Sequence, residues 1–338
     1  MELTNAVLGD EVLARRAHKI LSWMMHFFIH TLPLSVSPVH IPSALSIPLL
    51  QVSRHLLLPP VLTYSDDVLY NWRLKEGSEE LECIHLFTGT NDEAEFYLTS
   101  ARMELRGVEA LSLMRMTLDE LFLSDDIAIL RITSYLIRLA TVISELKDLL
   151  MKVREGCDPE VFYQSIRPWF KGQDSSPSGR PWIFDGVAEQ PTELSGPSAG
   201  QSALIHALDV FLSVDEQTHA GKKAFLDRMV EYMPKRHRAF LRHLGNRTTR
   251  LRSLVLSSGD EKLKAAYNGA IQSLKELRDA HFVIVTQYII QPAARERKRL
   301  EGGNASLDKD ELKGTGGTDL AKFLKSVRDG TARTIIKD

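Results

Sequence analysis

The sequence predicts an all-α protein. Apolar residues recur at spacings of three and four along most of the 338 residues, and sustained strand alternation is hard to find. Proline and glycine concentrate in a few stretches, chiefly 33–48, 171–200 and 302–317, leaving long uninterrupted runs between them.

Taken in order, residues 11–32 read as one helix, and Pro33, Pro38, Pro42 and Pro48 then predict an irregular stretch. "TYSDDVLYNWRL" at 63–74 suits a helix capped by Ser65 or Asp66, and the run from Thr117 to Arg154 suits two helices divided near Ser124. Lys171 to Gly200 is a second irregular stretch, longer than an ordinary connection in a compact domain and of the kind that carries function or disorder. Helices follow at 200–214, 221–232, 235–244, 248–257 and 260–291. Residues 295–313 read as a mobile charged loop, and a last helix runs from a Thr318 cap to Gly330.

Composition removes several partner classes. A net charge of -2, from 42 basic and 44 acidic side chains, creates no field suited to nucleic acid or anionic lipid. With 43% apolar residues the core is ample, and the apolar run from Ile20 to Leu32 is too short and too polar to span a bilayer. Cys83 and Cys157 are too few for a disulfide framework, so a reducing compartment is expected, and "MELTNAVLGDEV" lacks the basic start and apolar stretch expected of a signal peptide. A cytoplasmic protein is the expectation, and the sequons at Asn246 and Asn304 are then chance matches.

The helix at 260–291 carries a seam of Leu263, Tyr267, Ala270, Leu274, Leu277, Ile284 and Tyr288, and His281 lies on it. On the seam alone, a satisfied core histidine is the commoner case and an iron or metal ligand the rarer one. His26 and His30, four apart, have zinc spacing without a third ligand, so packing accounts for them better. His206 suggests no chemical role. "KGTGGTD" lacks the P-loop spacing and reads as a linker.

Three motifs together say more: "SGPSAGQSALIHALDVFL" from Ser195, "RDAHFVIVTQYI" from Arg278 and "KGTGGTDLAKFLKSVR" from Lys313. In combination they resemble the indoleamine 2,3-dioxygenase family, and the similarity extends from about Leu13 to Ile336, with wording around "LLQVSRHLLLPPVLTYSDDVLYNW" closest to fungal members. The resemblance implies a helical haem b domain with His281 as the iron ligand and Ser198, Ala199 and Gly200 against the distal haem face. Pro197 stands where many relatives have glycine. Arg278 is open between a haem propionate and a structural ion pair. "AEFYLTSARME" and "EVFYQSIRPW" resemble pocket walls and carry over Phe96, Ser100, Phe162 and Arg167; Tyr64 and Val68 approach the same pocket. The implied substrate-binding set is Tyr64, Phe96, Phe162, Arg167, Ser198 and Gly316, and the implied catalytic set Ser100, Arg167 and Thr315. On an α-helix Phe162 and Arg167, five apart, would be offset around the axis, with the arginine long enough to reach the same cavity.

The implied reaction adds both atoms of O2 across the indole C2–C3 bond of L-tryptophan to give N-formylkynurenine, in kynurenine and NAD biosynthesis. An electron donor keeps the iron ferrous, and a monomer is expected. Family members begin with several more helices, so residues 1–75 are expected to be the remnant of a small N-terminal domain and 76–338 the large catalytic domain. Two other readings stand beside this one: a haem protein on the same fold that binds O2 without turnover, and a degenerate helical protein without haem.

Overall fold

The computed structural model of the chain describes residues 3–123, 125–175, 180–214, 220–246, 250–301 and 320–337. Helices dominate it, as the apolar periodicity predicts. The first helices are α1 (Asn5–Leu8), α2 (Glu11–Thr31), α3 (Ser43–Leu56), α4 (Asn91–Leu123), α5 (Asp126–Met151), α6 (Val153–Gly156) and α7 (Pro159–Val161). They are followed by α8 (Ala203–Phe211), α9 (Ala220–Val230), α10 (Lys235–Gly245), α11 (Leu251–Ser258), α12 (Glu261–Val285), α13 (Gln291–Glu301) and α14 (Leu320–Thr334). Aspartates begin α2, α5 and α12: Asp10 accepts from the backbone N–H groups of Val12 and Leu13, Asp125 from Ala128 and Asp260 from Leu263.

The main core lies where α5 packs between α4 and α12, with Ile132, Leu136, Leu139, Tyr267, Ile271 and Leu274 fully buried. The short helix α8 closes one side of it through Leu204 and Leu208. It approaches α4 at Gly107, where a Cβ would collide with the Leu204 side chain. By length and composition alone α5 could cross a membrane; here its inner face is core, while Ile127, Leu130 and Ile137 are exposed. A second apolar cluster joins α2 and α3 through Met25, Ile29 and Leu49.

Several elements depart from the sequence reading. The proline-rich stretch after Pro33 contains α3, with Pro48 inside it. Burial of Leu49, Leu50 and Val52 outweighs the cost of about 3 kcal/mol for an interior proline. The helix expected at 63–74 is one π turn, Ser65–Leu69, followed by the strand β2, Trp72–Leu74, which pairs antiparallel with β3, Leu81–Cys83. The charged "loop" at 295–313 is helical through Glu301, where Arg295 pairs with Glu160; the rest of it, like Ser124 and the Thr318 cap, lies outside the described residues.

The long stretch 171–200 is pinned rather than loose along its described part. Its strand β4 (Trp182–Phe184) pairs in parallel with β1 (Val39–Ile41), and Trp182 and Phe184 are buried. His26 and His30 bolt α2 to the start of this stretch. The His26 Nδ1–H donates to the Trp169 carbonyl at 2.9 Å, its Nε2 accepts from the Leu62 N–H at 3.3 Å, and His30 Nε2 meets the Lys171 carbonyl at 3.0 Å. Both nitrogens of His26 are therefore used in packing. No group of three metal-ligating side chains occurs among the described residues.

Candidate functional site

Among the described residues three π turns interrupt the helical regularity, and each lies in a segment the motifs single out. Ser65–Leu69 follows Tyr64 directly, Phe162–Ile166 leads into Arg167, and Thr286–Ile290 begins five residues after His281. Such turns insert an extra residue and occur often at functional sites. The second revises the geometry expected of Phe162 and Arg167. The Arg167 N–H donates to the Phe162 carbonyl five residues back, so the wider turn stacks the two more nearly in register than an α-helix would.

Aromatic rings form one wall. Phe96, on α4, packs against Phe162 with ring centroids 4.5 Å apart and against Phe170 at 5.7 Å. Phe162 meets Tyr288 edge-on at 5.7 Å, and the Tyr288 hydroxyl donates to the Cys157 carbonyl at 2.6 Å. The end of the His281 segment is thereby joined to the wall. Arg167 is buried, its guanidinium 5.4 Å from the Tyr163 ring centroid.

A polar edge adjoins the wall. Phe96, Ser100 and Glu104 succeed one another at intervals of four on α4, so they share a face. Glu104 Oε1 accepts from the Tyr64 hydroxyl at 2.9 Å and from the Ser202 hydroxyl at 2.7 Å, while Gln201 Oε1 takes the Tyr64 N–H at 2.8 Å. Ser100 also lies within hydrogen-bonding reach of Tyr64. Burial raises the Glu104 carboxyl above its usual range, and the Ser202 and Tyr64 bonds pull it partly back.

The glycine-rich segment before α8 is shaped by close approach. A Cβ on Gly196 would fall on the Phe170 carbonyl, so only glycine fits there. Ser198 Oγ accepts from the Gly200 N–H at 3.2 Å; Ala199 is exposed, and Ser198 and Gly200 are half-buried. His206, one turn into α8, meets the Gly200 carbonyl at 2.9 Å. One turn further, Asp209 takes the Arg278 guanidinium, whose other arm donates to the Thr331 hydroxyl. The Arg278 guanidinium thus makes a structural ion pair with Asp209.

His281 follows Arg278 by one turn of α12. The residue is half-buried, and no hydrogen bond of its ring is seen among the described residues. Burial, and then the Arg278 charge, push its pKa down to about 4, so the imidazole is neutral at ordinary pH. A neutral imidazole with an available nitrogen has the donor chemistry that haem iron takes. On that observation the residues fit the group.

The family model for indoleamine 2,3-dioxygenase matches residues 2–334. The chain belongs to the indoleamine 2,3-dioxygenase family. It is 34% identical over 332 residues to human indoleamine 2,3-dioxygenase 2, covering 95% of this chain and 79% of that protein. The Saccharomyces cerevisiae indoleamine 2,3-dioxygenase is 33% identical over 370 residues, covering 99% of this chain and 81% of its own length. Fungal members are thus relatives at much the same level as mammalian ones. A protein named myoglobin from Haliotis madaka is 30% identical over 296 residues, covering 87% of this chain and 74% of its own.

The structure joins Tyr64 to Ser100, Phe96 to Phe162, and Gly200 through α8 to Arg278. Thr315 and Gly316 lie outside the described residues. Glu104, Gln201, Asp209 and Thr331 were not singled out from the sequence. Glu104 continues the Phe96–Ser100 spacing, Gln201 and Ser202 stand inside the quoted glycine motif, and Asp209 is three past His206, so each had a local signal; Thr331 had none.

Proposed function

We propose that this chain is a haem-dependent dioxygenase that opens the indole ring of L-tryptophan between C2 and C3, giving N-formylkynurenine. The observation that carries the reading is the neutral, half-buried His281 imidazole without a hydrogen-bond partner among the described residues, one turn after an arginine anchored to α8. His281 would hold haem b, with Ser198, Ala199 and Gly200 against its other face. Bound ferrous haem supplies the activation of O2. Everything else falls to side chains of this chain. Phe96 and Phe162 hold the indole by face and edge contacts, and the Arg167 fork takes the substrate carboxylate. Tyr64 and Ser100 bound the polar edge, and the buried aromatic wall keeps water from the reacting ring. Both oxygen atoms stay in the product, so turnover consumes no external electrons; a donor is needed only to keep the iron ferrous. Both cysteines are free thiols, in keeping with the reducing, cytoplasmic setting proposed for the chain.

Similarity to the Haliotis protein named myoglobin favours a second reading, a haem protein that binds O2 without turning over an indole. The test is the absorption spectrum of haem-supplemented protein beside His281→Ala, with ascorbate, methylene blue and L-tryptophan. A Soret band that requires His281, together with N-formylkynurenine, supports the dioxygenase. The band without product supports the second reading, and its absence overturns both.

A further inference from the structure

His18 on α2 is fully buried, and both of its ring nitrogens face oxygen. Nδ1 lies 3.1 Å from Asp66 Oδ1, and Nε2 lies 3.1 Å from the Pro59 carbonyl. A carbonyl oxygen only accepts, so Nε2 carries a proton. The Asp66 carboxylate is an acceptor too, and its Oδ2 already takes the Thr63 N–H and hydroxyl at 3.0 and 2.7 Å. A second proton therefore lies between Nδ1 and Oδ1. A neutral imidazole has one N–H and satisfies one of these oxygens; the arrangement is complete only with the extra proton.

What this pair holds is the segment that carries Tyr64. Lys19, next to His18, donates to the Tyr70 carbonyl at 3.1 Å, so α2 grips the chain at Pro59, at Asp66 within the π turn and at Tyr70 just after it. Elsewhere the Tyr64 hydroxyl reaches Glu104 and its N–H reaches Gln201. Asp66 links the two sets of contacts, bonding His18 through one oxygen and Thr63, the residue before Tyr64, through the other. The charged group facing His18 is Asp66. Around Asp66 stand Lys19 of α2, Asp67 of the π turn and the Tyr70 phenol, with Glu93 of α4 beyond Asp67 and Arg15 over the Tyr70 ring. Burial opposes a charge on His18, but the Asp66 charge and the bonds to Asp66 and the Pro59 carbonyl outweigh it and raise the pKa. The pair is thus complete below the unfolded value of about 6.5 and comes apart as pH rises through the higher folded value.

We propose that His18 is a positioning residue for the substrate pocket: the proton it shares with Asp66 fixes the Tyr64 turn against α2, and substrate affinity falls when that proton is lost. The inference rests on the dioxygenase reading. Without the shared proton, the remaining N–H serves the carboxylate, the stronger acceptor, and the Nε2 lone pair faces the Pro59 carbonyl oxygen. The contact of α2 with the start of the segment then opens, and the Tyr64 turn loses part of its support. His18 touches neither substrate nor haem in this reading, so the effect falls on binding rather than on kcat.

The test compares the haem-loaded full chain with its His18→Gln variant from about pH 6 to about pH 9.5, a range that brackets a raised histidine pKa. L-tryptophan affinity is read from the Soret shift and kcat from N-formylkynurenine. Titrations of haem and ligand are common to both proteins, so the ratio of the two Kd values isolates His18. The variant is expected to bind about tenfold more weakly at the acid end, with the ratio falling towards one at the alkaline end and kcat nearly equal throughout. Nitrogen NMR of the histidine-labelled wild type should show the His18 ring titrating over the range in which the ratio falls. Should His18→Gln not accumulate as folded protein, His18→Asn gives the same comparison. A ratio that stays constant with pH assigns His18 to packing and overturns the inference, as does a His18 ring that does not titrate in this range; the dioxygenase reading survives either result. Failure of wild type to bind L-tryptophan at any pH overturns both.

Discussion

Asp209 on α8 holds the Arg278 guanidinium on α12 in a nearly dry contact, with side-chain exposures of 14% and 9%. Thr331 of α14 takes the other arm, so three helices meet one turn before His281. Because His206 on the same short α8 holds the Gly200 carbonyl, this helix sets how far the glycine-rich segment stands from the His281 turn. An ion pair and a backbone hydrogen bond, rather than the candidate ligands themselves, therefore tie the glycine-rich segment to the turn before His281.

Removing the acid from this pair leaves a buried guanidinium uncompensated. Asp209→Ala is expected to lose about 3–5 kcal/mol of unfolding free energy, with haem retention falling alongside. Asp209→Asn, which keeps an acceptor, should lose less. Urea unfolding with and without haem measures both, and a loss under about 1 kcal/mol for the alanine variant would show the pair to be dispensable.

How much of this was legible follows from the kind of signal each feature leaves. The α12 seam, the three motifs and the "EVFYQSIRPW" stretch are local patterns, so His281, Phe162 and Arg167 could be marked from sequence alone. Pro48 shows the opposite case: its local propensity forbids a helix, and only the burial of Leu49, Leu50 and Val52 makes one. The π turns left no trace, because an extra residue in a turn has no composition of its own, yet one of them brings Phe162 and Arg167 into register. Thr331 reaches Arg278 across 53 residues, a pairing that no local spacing encodes.

Acid should weaken the fold through its neutral histidines. Burial and then the neighbouring His30 charge push His26 down to about 3, and burial pushes His30 down to about 4. In the unfolded chain both protonate near pH 6.5. Their contribution is therefore complete above that pH and lost as pH falls towards the folded values, by about 1.4 kcal/mol per unit for each histidine. His18 works the other way: burial opposes its charge, but Asp66 and the Pro59 carbonyl raise its pKa. The cleaner measurement is the stability difference between wild type and His26→Gln, which should shrink between pH 6.5 and 4.5. A difference constant across that window would mean His26 titrates normally in the fold.

Glu104 fixes Tyr64 relative to Ser202, two walls from distant parts of the chain. Glu104→Gln keeps an acceptor for both hydroxyls and should change the KM for L-tryptophan by less than about threefold. Glu104→Ala leaves two hydroxyls without their acceptor and should raise KM by about tenfold with little change in haem content. If the two variants behave alike, the carboxyl's charge rather than its geometry matters, and a pH profile of KM would show it.

Arg167 offers the sharpest division between binding and packing. Its guanidinium lies beside the Tyr163 ring, so alanine at this position removes both a charge and a packed surface. If the guanidinium receives the substrate carboxylate, Arg167→Ala should weaken L-tryptophan by about 10- to 100-fold while leaving tryptamine, which lacks that carboxylate, nearly unaffected. Arg167→Lys should recover part of the loss, because an ammonium keeps the charge but not the planar fork. Parallel weakening of both ligands would assign Arg167 to packing alone, and the carboxylate of the substrate would then need another partner in the fold.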